Sequence, residues 1–182
     1  DENLAKLYKL RFPNDNVIIT NAHTFLLNNF EKFDFIWSSP SCHTHSRSRY
    51  ARSKTTIKVY PDLKLYEEII FLQNYFKGKY VVENVIPFYK PLIPAQKRGR
   101  HLFWSNFFLP YNLNERECNI MESKNEVQKW CKFHDFNFYD YKGKQRLDKI
   151  CRNLVDYNIG KTIFETALGI INKSNTKQLQ LL

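Results

Sequence analysis

A thiol and a carboxylic acid stand at two places where the chain reads as leaving a buried strand: Pro40-Ser41-Cys42 and Glu83-Asn84-Val85. Thiolates attack electron-poor carbons and carboxylic acids donate protons, and one kind of substrate needs both together. A pyrimidine ring is a poor nucleophile at C5 until something adds at C6. An enzyme that alkylates C5 therefore needs a thiolate for C6 and an acid for N3, and Cys42 and Glu83 match those two tasks. His43, His45, Arg47 and Arg49 follow the cysteine, and their positive charge is expected to lower the thiol pKa. Taken singly, each group also has a plainer reading, as a buried cysteine and as a helix-capping glutamate.

The elements that must position these groups follow an α/β rhythm. Leu4, Leu7, Tyr8 and Arg11 recur at helical spacing over residues 2–11 until Pro13-Asn14-Asp15 breaks the pattern. Val17-Ile18-Ile19 reads as a short buried strand, Ala22 to Phe30 as a helix, and Phe33 to Trp37 as a second strand ending in Ser38-Ser39-Pro40. Residues 41–58 are polar and basic with no clear period, which predicts a long loop of the functional kind. Leu63 to Phe76 is an amphipathic helix, and Tyr80-Val81-Val82 is a strand running into Glu83. Strands alternating with helices predict parallel pairing, with ligands beyond the carboxyl ends of the strands. After three prolines (Pro87, Pro91, Pro94) and a strand over 102–108 the rhythm stops. A helix is expected near 121–134 and two more over 145–154 and 159–172, followed by a frayed polar tail.

With 182 residues the chain is long enough for one core or for a compact domain with a small lobe. No apolar run approaches the roughly 18 residues that a membrane helix needs, and no secretory signal opens the chain. The expectation is a cytoplasmic protein, nucleoid-associated if bacterial, with no membrane partner. Lys and Arg number 28 against 18 Asp and Glu, a net charge of +10 that suits a polyanionic partner. Cys42, Cys118, Cys131 and Cys151 lie far apart, as reduced thiols do. Cys131 and His134 with Cys118 upstream faintly suggest zinc, but no clear fourth ligand accompanies them, and no metal is expected. The chain opens on Asp1 inside a helical stretch, so it reads as starting partway through a larger protein.

Four runs in order along the chain resemble the DNA cytosine-5 methyltransferase family. Ser38-Ser39-Pro40-Ser41-Cys42, with Ser46 downstream, is similar to motif IV, a Pro-Cys at a strand end. Glu83-Asn84-Val85 matches motif VI. Gln96, Arg98 and Arg100 match the Gln-x-Arg-x-Arg of motif VIII, and Asn153 with Val155 echoes motif X. The resemblance implies a Rossmann-like α/β fold that uses S-adenosylmethionine, incomplete at its N-terminus, with a small target-recognition lobe. It divides the chain into a catalytic part over 1–104, a lobe over 105–145 and returning helices over 146–182.

Carried onto these residues, the resemblance makes Cys42 the nucleophile at C6 and Glu83 the proton donor to N3. Arg100 and Arg98 would orient the base and hold the carboxylate, and Asn84 would help position the Cys42 loop. Duplex DNA is the implied partner, with the target cytosine flipped out of the helix. Ser46, Arg47, Arg49, Arg52, Asn84, Gln96, Lys142 and Lys144 are the expected DNA-binding residues, and the basic loop 43–58, which includes Lys54, would close over the DNA. Lobe aromatics such as Phe136, Phe138, Tyr139 and Tyr141 read as lobe core. Asn21, Ala22, Asn153 and Val155 are the expected cofactor contacts.

The chain also departs from the family. The Phe-x-Gly-x-Gly turn of motif I and the ribose-binding acid are absent, so a missing N-terminal segment or a complementing chain is a further expected partner. Ser41 replaces a proline, His43 a glutamine, and Leu154 enlarges a small position; Asn21 stands where an aspartate contacts adenine. The expected activity is methylation of C5 of cytosine in DNA, as the modification half of a restriction system. A catalytically silent DNA-binding remnant or regulatory subunit, and an RNA cytosine-5 methyltransferase, are the alternatives. Target sequence and oligomeric state are not legible in the residues.

Overall fold

The structure is a computed structural model and describes residues 1–52, 57–111, 113, 120 and 123–170. The chain divides into two compact units, Asp1–Asn21 with Glu115–Asn158, and Ala22–Asn114 with Ile159–Leu182. These units cut across the three segments expected from the sequence, because residues 1–21 cluster with residues of the lobe. Among the described residues no helix is long and apolar enough to cross a membrane.

The second unit is built on a four-stranded mixed sheet, so the fold is mixed α/β. Its strands are β1 (Phe35–Ser38), β2 (Lys79–Val85), β3 (Gln96–Arg98) and β4 (His101–Ser105), in the order β1-β2-β4-β3. β1 and β2 run parallel, with Phe35 opposite Lys79 and Ser38 opposite Val82. Parallel pairing ends there, since β2 with β4 and β3 with β4 are antiparallel. The sequence reading assigned no strand to 96–98, but two residues, Gly99 and Arg100, suffice to connect antiparallel neighbours. Gly99, at φ 52, takes the left-handed first position of that hairpin turn.

Alternation along the strands gives the sheet two apolar faces. Ile36, Tyr80, Val82, Leu102 and Trp104 pack with Leu65, Tyr66, Ile69 and Leu72 of α4, the helix Lys64–Tyr75 that connects β1 to β2. Leu26 and Phe30, at and just beyond the end of α2 (Ala22–Asn29), join that cluster. On the opposite face Val81 and Phe103 meet Leu109, Leu113 and Ile163, the last from α7 (Tyr157–Ala167). Each fully buried side chain of this kind contributes about 1.5–3 kcal/mol, so both faces anchor the strand ends. The expected loop over 41–58 contains a helix, α3 (Arg47–Ala51), capped by the Ser46 hydroxyl rather than marked by any apolar period.

In the first unit α1 (Glu2–Arg11) is capped by the Asp1 carboxylate, which accepts from the backbone of Asn3 and Leu4. The same carboxylate accepts from Tyr141 Oη at 2.9 Å and Gln145 Nε2 at 2.8 Å. Leu7 lies in a core with Trp130 of α5 (Glu126–His134), Phe138, Tyr141, and Ile150 and Cys151 of α6 (Leu147–Arg152). Arg152 holds Glu126 through two hydrogen bonds of 2.7 and 2.6 Å. Phe138 and Tyr141 are buried as expected of lobe core, whereas Tyr139 is exposed. Val17-Ile18-Ile19 forms no strand, and Ile18 and Ile19 are exposed. A β-branched run becomes a strand only beside another strand, which composition alone cannot supply.

Candidate active site at the strand ends

The parallel register of β1 and β2 decides where Cys42 lies. Ser38 is opposite Val82, so the chain leaving β1 passes the next residues of β2, Glu83 and Asn84. Asn84 is buried, and its Nδ2 donates to the Pro40 carbonyl at 3.0 Å while its Oδ1 accepts from the Val85 amide at 2.9 Å. One amide thus ties the segment leading to the cysteine onto the neighbouring strand, the positioning role expected of it.

Beyond Pro40 the chain turns tightly. The amides of His45 and Ser46 both donate to the Cys42 carbonyl, at 3.0 and 3.1 Å. Ser46 forms a β-bridge with Pro87, and the Phe88 amide donates to the His45 carbonyl at 3.1 Å. His45 is 1% exposed, and its Nδ1 lies 2.5 Å from Tyr89 Oη, which in turn accepts from Tyr66 Oη at 3.4 Å. Sequence reasoning gave His45 only a charge. The structure makes it the post that fastens the Cys42 turn to the segment following β2.

Electrostatics around the thiol run opposite to expectation. Burial pushes the Cys42 thiol above its ordinary pKa, the turn's backbone opposes this, and the Glu83 carboxylate raises it further. The flanking cations do not reverse this. Arg47 turns to the Pro87 carbonyl and Arg49 to the Ile57 carbonyl, while burial lowers the His45 pKa and keeps its ring neutral near pH 7. Glu83 is 15% exposed, and its Oε1 lies 3.5 Å from Nε2 of His101 on β4. The antiparallel register of β2 and β4, which the sequence does not reveal, brings His101 there.

Comparison with protein-family models, curated proteins and solved structures finds no match for this chain. What the site can do rests on its own geometry.

The Gln-x-Arg-x-Arg run behaves differently from its expected role. Gln96 Nε2 donates to Ser105 Oγ and to the Phe107 carbonyl, both at 2.8 Å, and its Oε1 accepts from the Leu109 amide. Both ends of the Gln96 amide are thus engaged within the fold. Arg98 donates to the carbonyls of Lys97, Leu109 and Pro110, and its guanidinium lies over the Tyr111 ring at 4.7 Å. These bonds clamp the segment after β4. Arg100 occupies the second hairpin-turn position and is exposed.

Of the other expected DNA contacts, Arg47 and Arg52 are exposed, Arg49 is half-buried, and the Ser46 hydroxyl caps α3 by accepting from the Arg49 amide at 3.2 Å. Lys142 and Lys144 are exposed on the first unit. Lys54 and Cys118 lie outside the described residues. Among those described, no group of three His, Cys, Asp or Glu side chains is arranged to hold a metal; His134 stacks on Trp130.

The expected cofactor contacts are divided between the two units. Asn21, Ala22, Asn153 and Val155 are all exposed, and the Asn153 amide donates to Lys149 and Ile150 carbonyls at the end of α6. Two open depressions on the first unit run along Tyr8, Asp15, Val17 and Ile18, and neither includes any of these four residues. An adenosyl group is ordinarily enclosed on most of its surface, so these residues as arranged do not fit S-adenosylmethionine.

A further polar cluster went unread in the sequence. The buried Glu68 of α4 accepts from Ser38 Oγ at 2.5 Å and lies 3.1 Å from His23 Nδ1, tying the end of β1 to the start of α2. A glutamate within an amphipathic helix gives no signal that it faces inward.

Proposed function

We propose that this chain is the base-activating part of a DNA cytosine-5 methyltransferase, with a Rossmann-like frame. The observation that carries the reading is that β1 and β2 run parallel, so that Cys42 and Glu83 lie toward the same edge of the sheet, with the carboxylate's charge felt at the thiol. Because burial holds the thiol protonated, its proton must leave as sulfur attacks, and Glu83 is the carboxylate coupled to it. In this reading Glu83 takes the thiol proton while sulfur bonds to C6 of a flipped cytosine. The C5=C6 electron pair moves into the ring and N3 takes the proton back from Glu83, leaving C5 electron-rich. Reversal returns the N3 proton through Glu83 to the departing Cys42 sulfur as the C5=C6 bond re-forms. Arg100 stands as a candidate for orienting the base, and the net charge of +10 favours a DNA backbone as the docking surface.

Addition at C6 is testable without a methyl donor. Duplexes carrying 2-pyrimidinone at random cytosine positions present a more electrophilic C6, and the expected result is a covalent adduct that Cys42→Ala abolishes. A folded chain that gives no adduct, or an adduct that survives Cys42→Ala, defeats the proposal. Repeating the test with 5-fluorocytosine and S-adenosylmethionine examines methyl transfer itself, and structured RNA in place of DNA examines substrate type. A second reading, a catalytically silent DNA-binding chain, is favoured by the raised thiol pKa and the exposed cofactor residues. It predicts salt-sensitive DNA binding with no adduct.

A further inference from the structure

Next to the Cys42 turn stands a column of aromatic rings whose outermost member faces solvent. Tyr50 of α3 lies parallel to Phe88, with ring centroids 4.7 Å apart and planes 8° from parallel. Phe88 meets Tyr89 edge-on at 5.1 Å, and Tyr89 is held from below by His45 and Tyr66. The column is therefore fixed at its base by buried hydrogen bonds and by the bridge between Ser46 and Pro87. Tyr50 is nevertheless 59% exposed. One face of its ring is covered by Phe88, so much of the exposed surface belongs to the other.

The surroundings of this ring are cationic. Arg47, Arg49 and Arg52 lie within three residues of Tyr50, and Arg47 and Arg52 are exposed. An apolar protein or lipid surface would meet these charges unfavourably. A nucleic-acid strand presents what the patch lacks, a flat π face for Tyr50 and phosphates for the arginines. A base still stacked within a duplex has no free face to offer, whereas an unpaired base does. Extrusion of one base leaves its former partner in that condition, and the ring stands only a few residues from the nucleophile.

We infer that Tyr50, backed by Phe88, is a stacking platform for an unpaired DNA base, with Arg47 contacting a neighbouring phosphate. The inference rests on the reading of DNA as substrate and deepens it by naming the part of the DNA that this surface holds.

The test measures binding of the whole chain, by fluorescence anisotropy at several salt concentrations, to a duplex and to the same duplex with one bulged base. The wild-type chain is expected to favour the bulged duplex. Tyr50→Leu, which keeps apolar bulk but removes the π face, should weaken bulge binding by about 5- to 100-fold while leaving the salt slope unchanged. Tyr50→Phe should bind as wild type, which separates loss of stacking from loss of fold. Arg47→Ala should weaken both duplexes and reduce the salt slope by about one. Absence of any preference for the bulged duplex, or a Tyr50→Leu chain that binds it as tightly as wild type, overturns the inference. If that indifferent variant still forms the Cys42 adduct, the platform is lost and the catalytic reading stands. If the preference depends on Tyr50 but no adduct forms, the platform stands and the catalytic reading falls.

Discussion

The Cys42 turn and the β3–β4 hairpin each carry a short signature of polar residues, yet they use those residues in opposite ways. At the turn, Asn84 reaches across to the Pro40 carbonyl and the Glu83 charge is felt at the thiol, so the polar groups act on the place where the chain presents a nucleophile. In the hairpin, Gln96 and Arg98 direct their groups back onto residues 105–110 and hold their own neighbourhood together. A signature residue becomes functional only if its hydrogen-bonding capacity is left over after the fold has taken its share. Arginine in particular has five donors, and when backbone carbonyls take three of them the side chain is a structural clamp.

The largest effect that would sharpen this contrast is expected at Arg98. Arg98→Ala leaves the carbonyls of Leu109 and Pro110 without their donor, and it should cost about 2 to 4 kcal/mol of stability in urea unfolding. Arg98→Lys should recover little of this, because a single ammonium cannot reproduce the fork. The Cys42 alkylation rate of the folded variant should equal that of wild type. A variant of unchanged stability whose adduct formation collapses would break the comparison and return Arg98 to the substrate.

A smaller effect is expected at the post beneath the turn. His45→Phe keeps the ring's volume but loses the hydrogen bond to Tyr89, and Tyr89→Phe removes the same bond from the other side. Each should slow adduct formation with pyrimidinone duplexes by about ten- to a hundredfold, because the sulfur is no longer held where the base arrives. The double variant should be no slower than either single one, since both break one link. Additive losses, or a drop in thermal stability with adduct rate intact, would make His45 mere packing.

The sequence carried more of the frame than of the site. α1, α4 and β2 were legible because their apolar spacing has one interpretation, and Asn84 was legible because its motif stands at a strand end. Val17–Ile19 misled because strand-forming composition does not create a partner strand. α3 was hidden because a short helix capped by Ser46 needs no apolar stripe. His45 was misread as a charge, since nothing in its basic neighbourhood discloses that the ring is buried and neutral. His101 was invisible until the antiparallel register of β2 and β4 set it beside Glu83.

The smallest effect isolates the pairing on which the active end of the comparison depends. Glu83 raises the Cys42 pKa because its negative charge opposes formation of a second one nearby. Glu83→Gln removes that charge at nearly constant volume, so the thiolate becomes easier to form and the pKa must fall. Following iodoacetamide alkylation of Cys42 across pH should then show the midpoint moving to lower pH in the variant, and faster labelling at any pH below it. Burial is the larger cause and persists, so the midpoint should stay above that of an ordinary thiol. The linkage has the same sign: a thiol whose pKa is raised by folding stabilises the fold below the ordinary thiol range and ceases to do so as pH climbs through its own raised value. Stability of the wild-type chain should therefore decline over that alkaline window, and less so in Glu83→Gln. A midpoint that does not move would mean that the carboxylate and the sulfur do not share a site. The adduct chemistry would then lose its proton carrier even if the fold were correct in every strand.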